Sequence, residues 1–150
     1  LLSNTEWRPL NISYLFNEII KSSLQSLPSS KTIYRNISVT DIEINSTQAH
    51  HLTLIINELA TNTAKYAMIG RDVGTIDVSI KKEEGDVLII YKDDGPGFPE
   101  EVINERKNST NIGFELIFGI TAASLSGSVE IKNNNGAVTI IRFPSIIHFQ

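Results

Sequence analysis

The chain has no cysteine, one methionine, one tryptophan and three histidines. Without thiols there is neither a disulfide framework nor a thiolate metal site, a composition compatible with a reducing cytoplasm. Two of the histidines, His50 and His51, are adjacent, which makes a poor metal-ligand set. Apolar runs such as Leu52 to Ile56 are far too short to cross a bilayer, and no charged-then-apolar leader opens the chain. Basic residues form no stripe: Lys31, Lys81, Lys82, Arg106 and Lys107 are scattered or paired with acids, and the formal charge is -4. Nucleic acid is therefore not an expected partner.

What is present suits one core. At 150 residues with 41% hydrophobic content, the chain is expected to form a single domain over 1–150. It begins at Leu1, and its sole methionine is Met68, so it reads as a segment of a longer protein. The expected location is cytoplasmic, with membrane attachment of the whole protein left open.

Apolar residues Ile12, Leu15, Phe16, Ile19, Ile20 and Leu24 recur at helical spacing, predicting a first helix over Asn11 to Leu27 closed by Pro28. Ile33 to Val39 and Asp41 to Ile44 alternate as short strands. Asn45 or Ser46 can cap a second helix, with Gln48 as the capping-box partner. Thr75 to Lys82 and Val87 to Asp93 read as a hairpin across Glu83 to Asp86. A last helix is expected from Ile112 to Leu125, broken by Gly127, and a last hairpin joins Ser128–Lys132 to Ala137–Phe143. The fold class implied by this order is α/β: a two-layer α/β sandwich with three helices over one face of a mixed, mostly antiparallel sheet.

Three pieces carry chemistry. The second helix sets Glu58, Asn62, Lys65 and Tyr66 three and four residues apart, hence on one stripe, with Leu52, Ile55, Leu59 and Ala67 opposite. A carboxylate, an amide and an ammonium facing one space suit a Mg²⁺ ion and a phosphate chain, although a solvated face carries the same pattern. Asp93, Gly95 and Gly97 form D-x-G-x-G. Glycines there let the backbone lie close to a flat ligand, and the carboxylate can accept from an exocyclic amine; an ordinary Asp-Gly turn is the alternative. In Asn111-Ile-Gly-Phe-Glu-Leu116, Gly113 near a helix start leaves backbone N–H groups for an anion.

Taken in order, N-E-L-x-x-N-x-x-K-Y-A from Asn57, D-x-G-x-G from Asp93 and the glycine-led helix at Gly113 resemble the Bergerat-fold (GHKL) ATP-binding superfamily. DNA gyrase, heat-shock chaperones, mismatch-repair ATPases and sensor histidine kinases share that fold. The Asn-box sequence looks like the histidine kinases, and the short segment between Phe98 and Gly113 is closest to the HWE-like short-lid group.

The resemblance implies an ATP-binding catalytic domain of a protein histidine kinase. Asn62 would hold Mg²⁺ through its side-chain oxygen, with Glu58 assisting the metal first and acting as a base second. Lys65 and Tyr66 would contact phosphates or ribose, Asp93 the adenine amine, and Gly95 and Gly97 would shape the adenine pocket. Asn111, Gly113 and the following amides would close over the phosphates. The family's threonine after the last hairpin glycine is replaced by Ala137, and Thr139, on the same face, is the candidate substitute. The lid, Pro99 to Asn111, is expected as a polar loop.

Partners implied are ATP with Mg²⁺, a histidine-bearing helical dimerisation domain of the same protein, and a response regulator receiver domain. The isolated domain would be monomeric and the whole protein a homodimer. His50, His51 and His148 read as packed, capping or tail residues, so the phospho-acceptor is expected on a domain absent from this chain. An anti-sigma-factor-like serine kinase and a non-catalytic interaction module of the same fold are the alternatives.

Overall fold

The computed structural model describes residues 9–104 and 119–145. Strand β1 (Leu10–Asn11) leads into helix α1 (Ile12–Ser23), then β2 (Thr32–Ile37) and β3 (Glu43–Ile44). Helix α2 (Ser46–Asn62) follows and runs without interruption into a π-helical turn, Thr63–Ala67. The hairpin β4 (Val73–Glu83) and β5 (Asp86–Asp93), a short helix α3 (Glu100–Asn104), a second π turn (Thr121–Leu125) and the hairpin β6 (Ser128–Asn133) and β7 (Ala137–Pro144) complete the order.

The main sheet has the strand order β2-β4-β5-β7-β6. Only β2 and β4 run parallel; the remaining three pairings are antiparallel. A parallel pair needs a long crossover, and α2 supplies it. The β4–β5 turn uses Glu84 and Gly85, both at positive φ, as a tight hairpin requires.

The helices cover one face of this sheet. From α1, Ile12, Phe16, Ile19 and Ile20 are buried; from α2, Leu52, Ile55, Ile56 and Leu59; from the sheet, Ile76, Val78, Val87, Ile89, Ile141 and Phe143. Each such side chain contributes roughly 1.5–3 kcal/mol through burial. The α/β fold class expected from the periodicities is the one observed.

Several boundaries differ. Helix α1 starts after its cap Asn11, whose side chain accepts from the Tyr14 N–H at 2.9 Å, but ends at Ser23 rather than Leu27. Leu24 to Leu27 instead close turns, with the Leu27 N–H on the Leu24 carbonyl. For α2, Asn45 is the cap, and Gln48 completes the capping box. The lid is not loop throughout, because Glu100–Asn104 form α3, its first turn anchored by Val102 and Ile103 N–H groups on the Pro99 carbonyl. Of the expected last helix, the part before Gly119 lies outside the described residues; its end is a π turn stopped by Ser126 in the left-handed region, one residue before Gly127.

Among the described residues no helix is long and apolar enough to cross a membrane.

Candidate functional site

Strand β5 ends on Asp93, a carboxylate only 7% exposed. Its Oδ1 accepts from the Gly95 N–H at 3.0 Å and the Ala137 N–H at 3.3 Å, and its Oδ2 accepts from the Thr63 hydroxyl at 3.1 Å. Three donors thus hold one side chain where β5, the start of β7 and the end of α2 converge.

Two glycines allow this convergence. A Cβ on Gly95 would sit 2.5 Å from the Ala67 Cβ, so the D-x-G-x-G loop packs directly on the π turn. A Cβ on Gly136 would sit 1.9 Å from the Asp93 carbonyl oxygen, and Gly136 also has φ +137. Any side chain there would separate the last hairpin from the carboxylate.

The helix side departs from the expected single stripe. A π turn carries i→i+5 hydrogen bonds and more residues per turn, so side chains beyond it are rotated relative to their places on an α-helix. Asn62, Tyr66 and Ala67 line a cavity of about 290 Å³ together with Asp93, Pro96, Gly97, Phe98, Pro99, Val102 and Ala137. Glu58 and Lys65 are not among its lining residues, and Lys65 is exposed. The four residues therefore do not share one face: Asn62 and Tyr66 reach the cavity, and Glu58 and Lys65 do not.

Thr63 and Ala67 face inward, and Thr63 is buried. Its hydroxyl also lies 2.8 Å from the phenol oxygen of Tyr91, which is 3% exposed. Burial pushes the Tyr91 phenol far up, opposed by the Thr63 hydrogen bond and reinforced by the Asp93 charge. Tyr91 therefore stays protonated.

The loop is held from two further directions. Asn133 accepts from the Phe98 N–H at 2.8 Å and donates to the Phe98 carbonyl at 2.9 Å. Asp94 pairs with the Arg71 guanidinium at 3.0 Å and accepts from the Thr75 N–H at 3.0 Å, while Arg71 also donates to the Ala67 carbonyl at 2.9 Å. Burial would raise the Asp94 carboxyl, but the Thr75 N–H and the Arg71 hydrogen bond and charge outweigh it and hold the group below its ordinary value.

Of the ten residues singled out in the sequence, the cavity collects Asn62, Tyr66, Asp93 and Gly97. Gly95 lies in the loop behind it, against Ala67. Thr139 is 1% exposed and opposite Tyr91 in the sheet, two residues past Ala137, and does not line the cavity. Asn111 and Gly113, like Arg106 and Lys107 of the lid, lie outside the described residues. His50 is exposed and His51 partly buried on α2. Among the described residues no group of three or more His, Cys, Asp or Glu side chains is placed to hold a metal.

Sequence reading missed Thr63, Asn133 and Arg71. Thr63 sits inside the motif at a position the motif leaves unspecified, and its partners Tyr91 and Asp93 are 28 and 30 residues away. Asn133 is 35 residues from Phe98 and has no local signal at all.

The family model described as histidine kinase-, DNA gyrase B-, and HSP90-like ATPase matches residues 47–146. Blue-light-activated histidine kinase 1 of Erythrobacter litoralis (strain HTCC2594) is 36% identical over 90 residues, 59% of this chain but only 24% of that protein. The chain thus spans about a quarter of the curated relative's length. Among solved structures, the histidine kinase domain of the Erythrobacter litoralis EL346 blue-light activated histidine kinase superposes with a TM-score of 0.77 at 18% identity, covering 91% of this chain and 62% of that one. The catalytic domain of histidine kinase ThkA gives 0.72 at 17%, covering 93% and 97%, and mycobacterial sensor histidine kinase MprB 0.73 at 16%, covering 93% and 97%. At these identities the likeness is one of fold.

Proposed function

The chain belongs to the family of histidine kinase-, DNA gyrase B- and HSP90-like ATPases, and from that premise we propose that its cavity binds Mg-ATP and serves γ-phosphoryl transfer to a histidine on a separate helical dimerisation domain of the same protein. The observation that carries this reading is Asp93: a buried carboxylate, held by three donors, whose remaining acceptor capacity lies in a cavity walled by Pro96, Phe98, Val102 and Ala137. Such a group suits a flat apolar ring bearing an amine, which describes adenine. Its charge makes the hydrogen bond worth roughly 1.5–3 kcal/mol.

Asn62, on the same cavity, offers an amide oxygen for a hard cation, and its position in the motif supports the Mg²⁺ role. The ion, when bound, would neutralise phosphate charge. Tyr66, on the cavity lining, would meet ribose or phosphate, while Lys65, exposed beside it, and Glu58 would act from outside that lining. Asn111 and Gly113 keep the phosphate-side role that the motif assigns them. Catalysis of this type is chiefly positioning and charge neutralisation, so the chain's contribution is to hold the nucleotide. The whole protein would act as a homodimer of the HWE-like short-lid group and pass the phosphoryl group to a response regulator; this segment contacts neither membrane nor nucleic acid.

The test is to incubate the intact protein with ATP labelled in the γ-phosphate and challenge the labelled product with acid and with base. Label lost in acid and kept in base is the phosphohistidine this reading expects. Acid-stable label would identify the serine kinase alternative, and no label together with no nucleotide binding would identify an interaction module.

A further inference from the structure

Asp93 is oriented by a chain of hydrogen bonds that starts at a residue remote from the cavity lining. The Tyr91 phenol oxygen lies 2.8 Å from Thr63 Oγ1, a pair in which either hydroxyl could donate; donation by Tyr91 is the assignment that satisfies its buried O–H and leaves the Thr63 hydrogen for a second acceptor. Having accepted, the Thr63 hydroxyl has one hydrogen and two acceptors at equal distance, the Leu59 carbonyl at 3.1 Å and Asp93 Oδ2 at 3.1 Å. The Leu59 carbonyl already receives the Thr63 backbone N–H. An ionised carboxylate is also the stronger acceptor, and donation by Tyr91 polarises the hydroxyl further towards it. The hydrogen therefore points at Asp93.

The consequence concerns selectivity. Oδ1 has both lone pairs engaged by the Gly95 and Ala137 N–H groups, and one lone pair of Oδ2 is engaged by Thr63. What Asp93 retains for a ligand is acceptor capacity alone, fixed in direction. Ala137 brings no hydroxyl to its side of the carboxylate, so Thr63 is the nearby hydroxyl that can aim it.

We infer that Thr63, backed by Tyr91, is a positioning residue that makes the cavity choose a purine edge presenting an amine over one presenting a carbonyl. This rests on the nucleotide reading above. Without the Thr63 hydroxyl, Oδ2 is free to turn or to take up a water, and a 6-oxo purine then no longer faces a fixed, bare lone pair.

The test is calorimetric titration with ADP and with inosine diphosphate, without metal so that only the purine end is compared, of wild type, Thr63→Val, Thr63→Ser and Tyr91→Phe. Wild type should prefer ADP, and Thr63→Val should lose about five- to tenfold in ADP affinity while inosine diphosphate changes less than about twofold. Thr63→Ser, which restores the hydroxyl, should return to within about twofold of wild type. Tyr91→Phe should lower the ADP preference less, and Tyr91→Phe combined with Thr63→Val should match Thr63→Val alone, because Tyr91 acts through Thr63. Equal losses for both nucleotides in Thr63→Val, or failure of Thr63→Ser to restore ADP, would mean a packing role and overturn the inference. Should Thr63→Val not fold, an unchanged ADP preference in Tyr91→Phe overturns it. A wild type that binds neither nucleotide removes the nucleotide reading itself, a result distinct from ADP preference that is indifferent to Thr63.

Discussion

Asn133 brackets Phe98, accepting from its N–H and donating to its carbonyl, so the last hairpin fixes the backbone of the loop that walls the cavity. The contact is exposed, and a net value of about 0.5–1.5 kcal/mol per hydrogen bond bounds its effect on stability. Asn133→Ala should therefore shift the melting temperature little while weakening adenine nucleotide binding several-fold, since the loop must then be ordered by the ligand. Amide exchange at Gly97 and Phe98 should accelerate. Unchanged exchange there would show the bracket to be unnecessary.

Gly136 has the opposite character. A Cβ would drive into the Asp93 carbonyl oxygen, and the backbone stands at φ +137. Gly136→Ala should cost about 1–3 kcal/mol of stability and reduce nucleotide binding as the hairpin withdraws from Asp93. Denaturant melts that overlay on wild type would refute the close approach.

Asp94 gives an acid-limb prediction. Its folded carboxyl lies below the ordinary 3.8 because the Thr75 N–H and Arg71 outweigh the effect of burial. A depressed pKa contributes stability above the unfolded value and loses it as pH falls through the folded value. The stability gap between wild type and Asp94→Asn should thus be constant above about pH 5 and shrink below 3.8. The side chain is 43% exposed, so the gap should be small and reduced by salt. A gap that widens on acidification would mean that the folded state raises this carboxyl instead.

Much of this molecule is legible in its residues, for reasons that differ by element. Period-two alternation marks β4, whose residues alternate between buried and exposed, while β5 is a continuous apolar run from Val87 to Tyr91, most of it buried, at the centre of the sheet; Asn45 and Gln48 mark the start of α2 because a capping box is local. Asp93 and Gly97 are readable as a motif and do meet Asn62 and Tyr66 on one cavity. The division of the Glu58–Asn62–Lys65–Tyr66 stripe is not readable, since the residues carry no local mark of the π turn that begins after Asn62. Nor are Asn133 on Phe98, brought together by the order of strands β5, β7 and β6, or Tyr91 on Thr63, brought together by the packing of the π turn on β5.

Asp93 and Asn62 make separable contributions to binding. Asp93→Asn should weaken ADP, ATP and AMP alike by roughly 1.5–3 kcal/mol, because the charged acceptor is lost to all three. Asn62→Ala should leave metal-free ADP binding nearly intact and abolish the gain in ATP affinity on adding Mg²⁺. Persistence of that gain in Asn62→Ala would assign the metal to other side chains.

The nucleotide site itself is best probed by calorimetric titration of this chain with ATP and with GTP, each with and without Mg²⁺. Selective binding of ATP, strengthened by the ion, is expected. A folded sample that binds neither nucleotide, or binds both equally without regard to Mg²⁺, would contradict the assignment of Asp93 and Asn62 to an adenine nucleotide site.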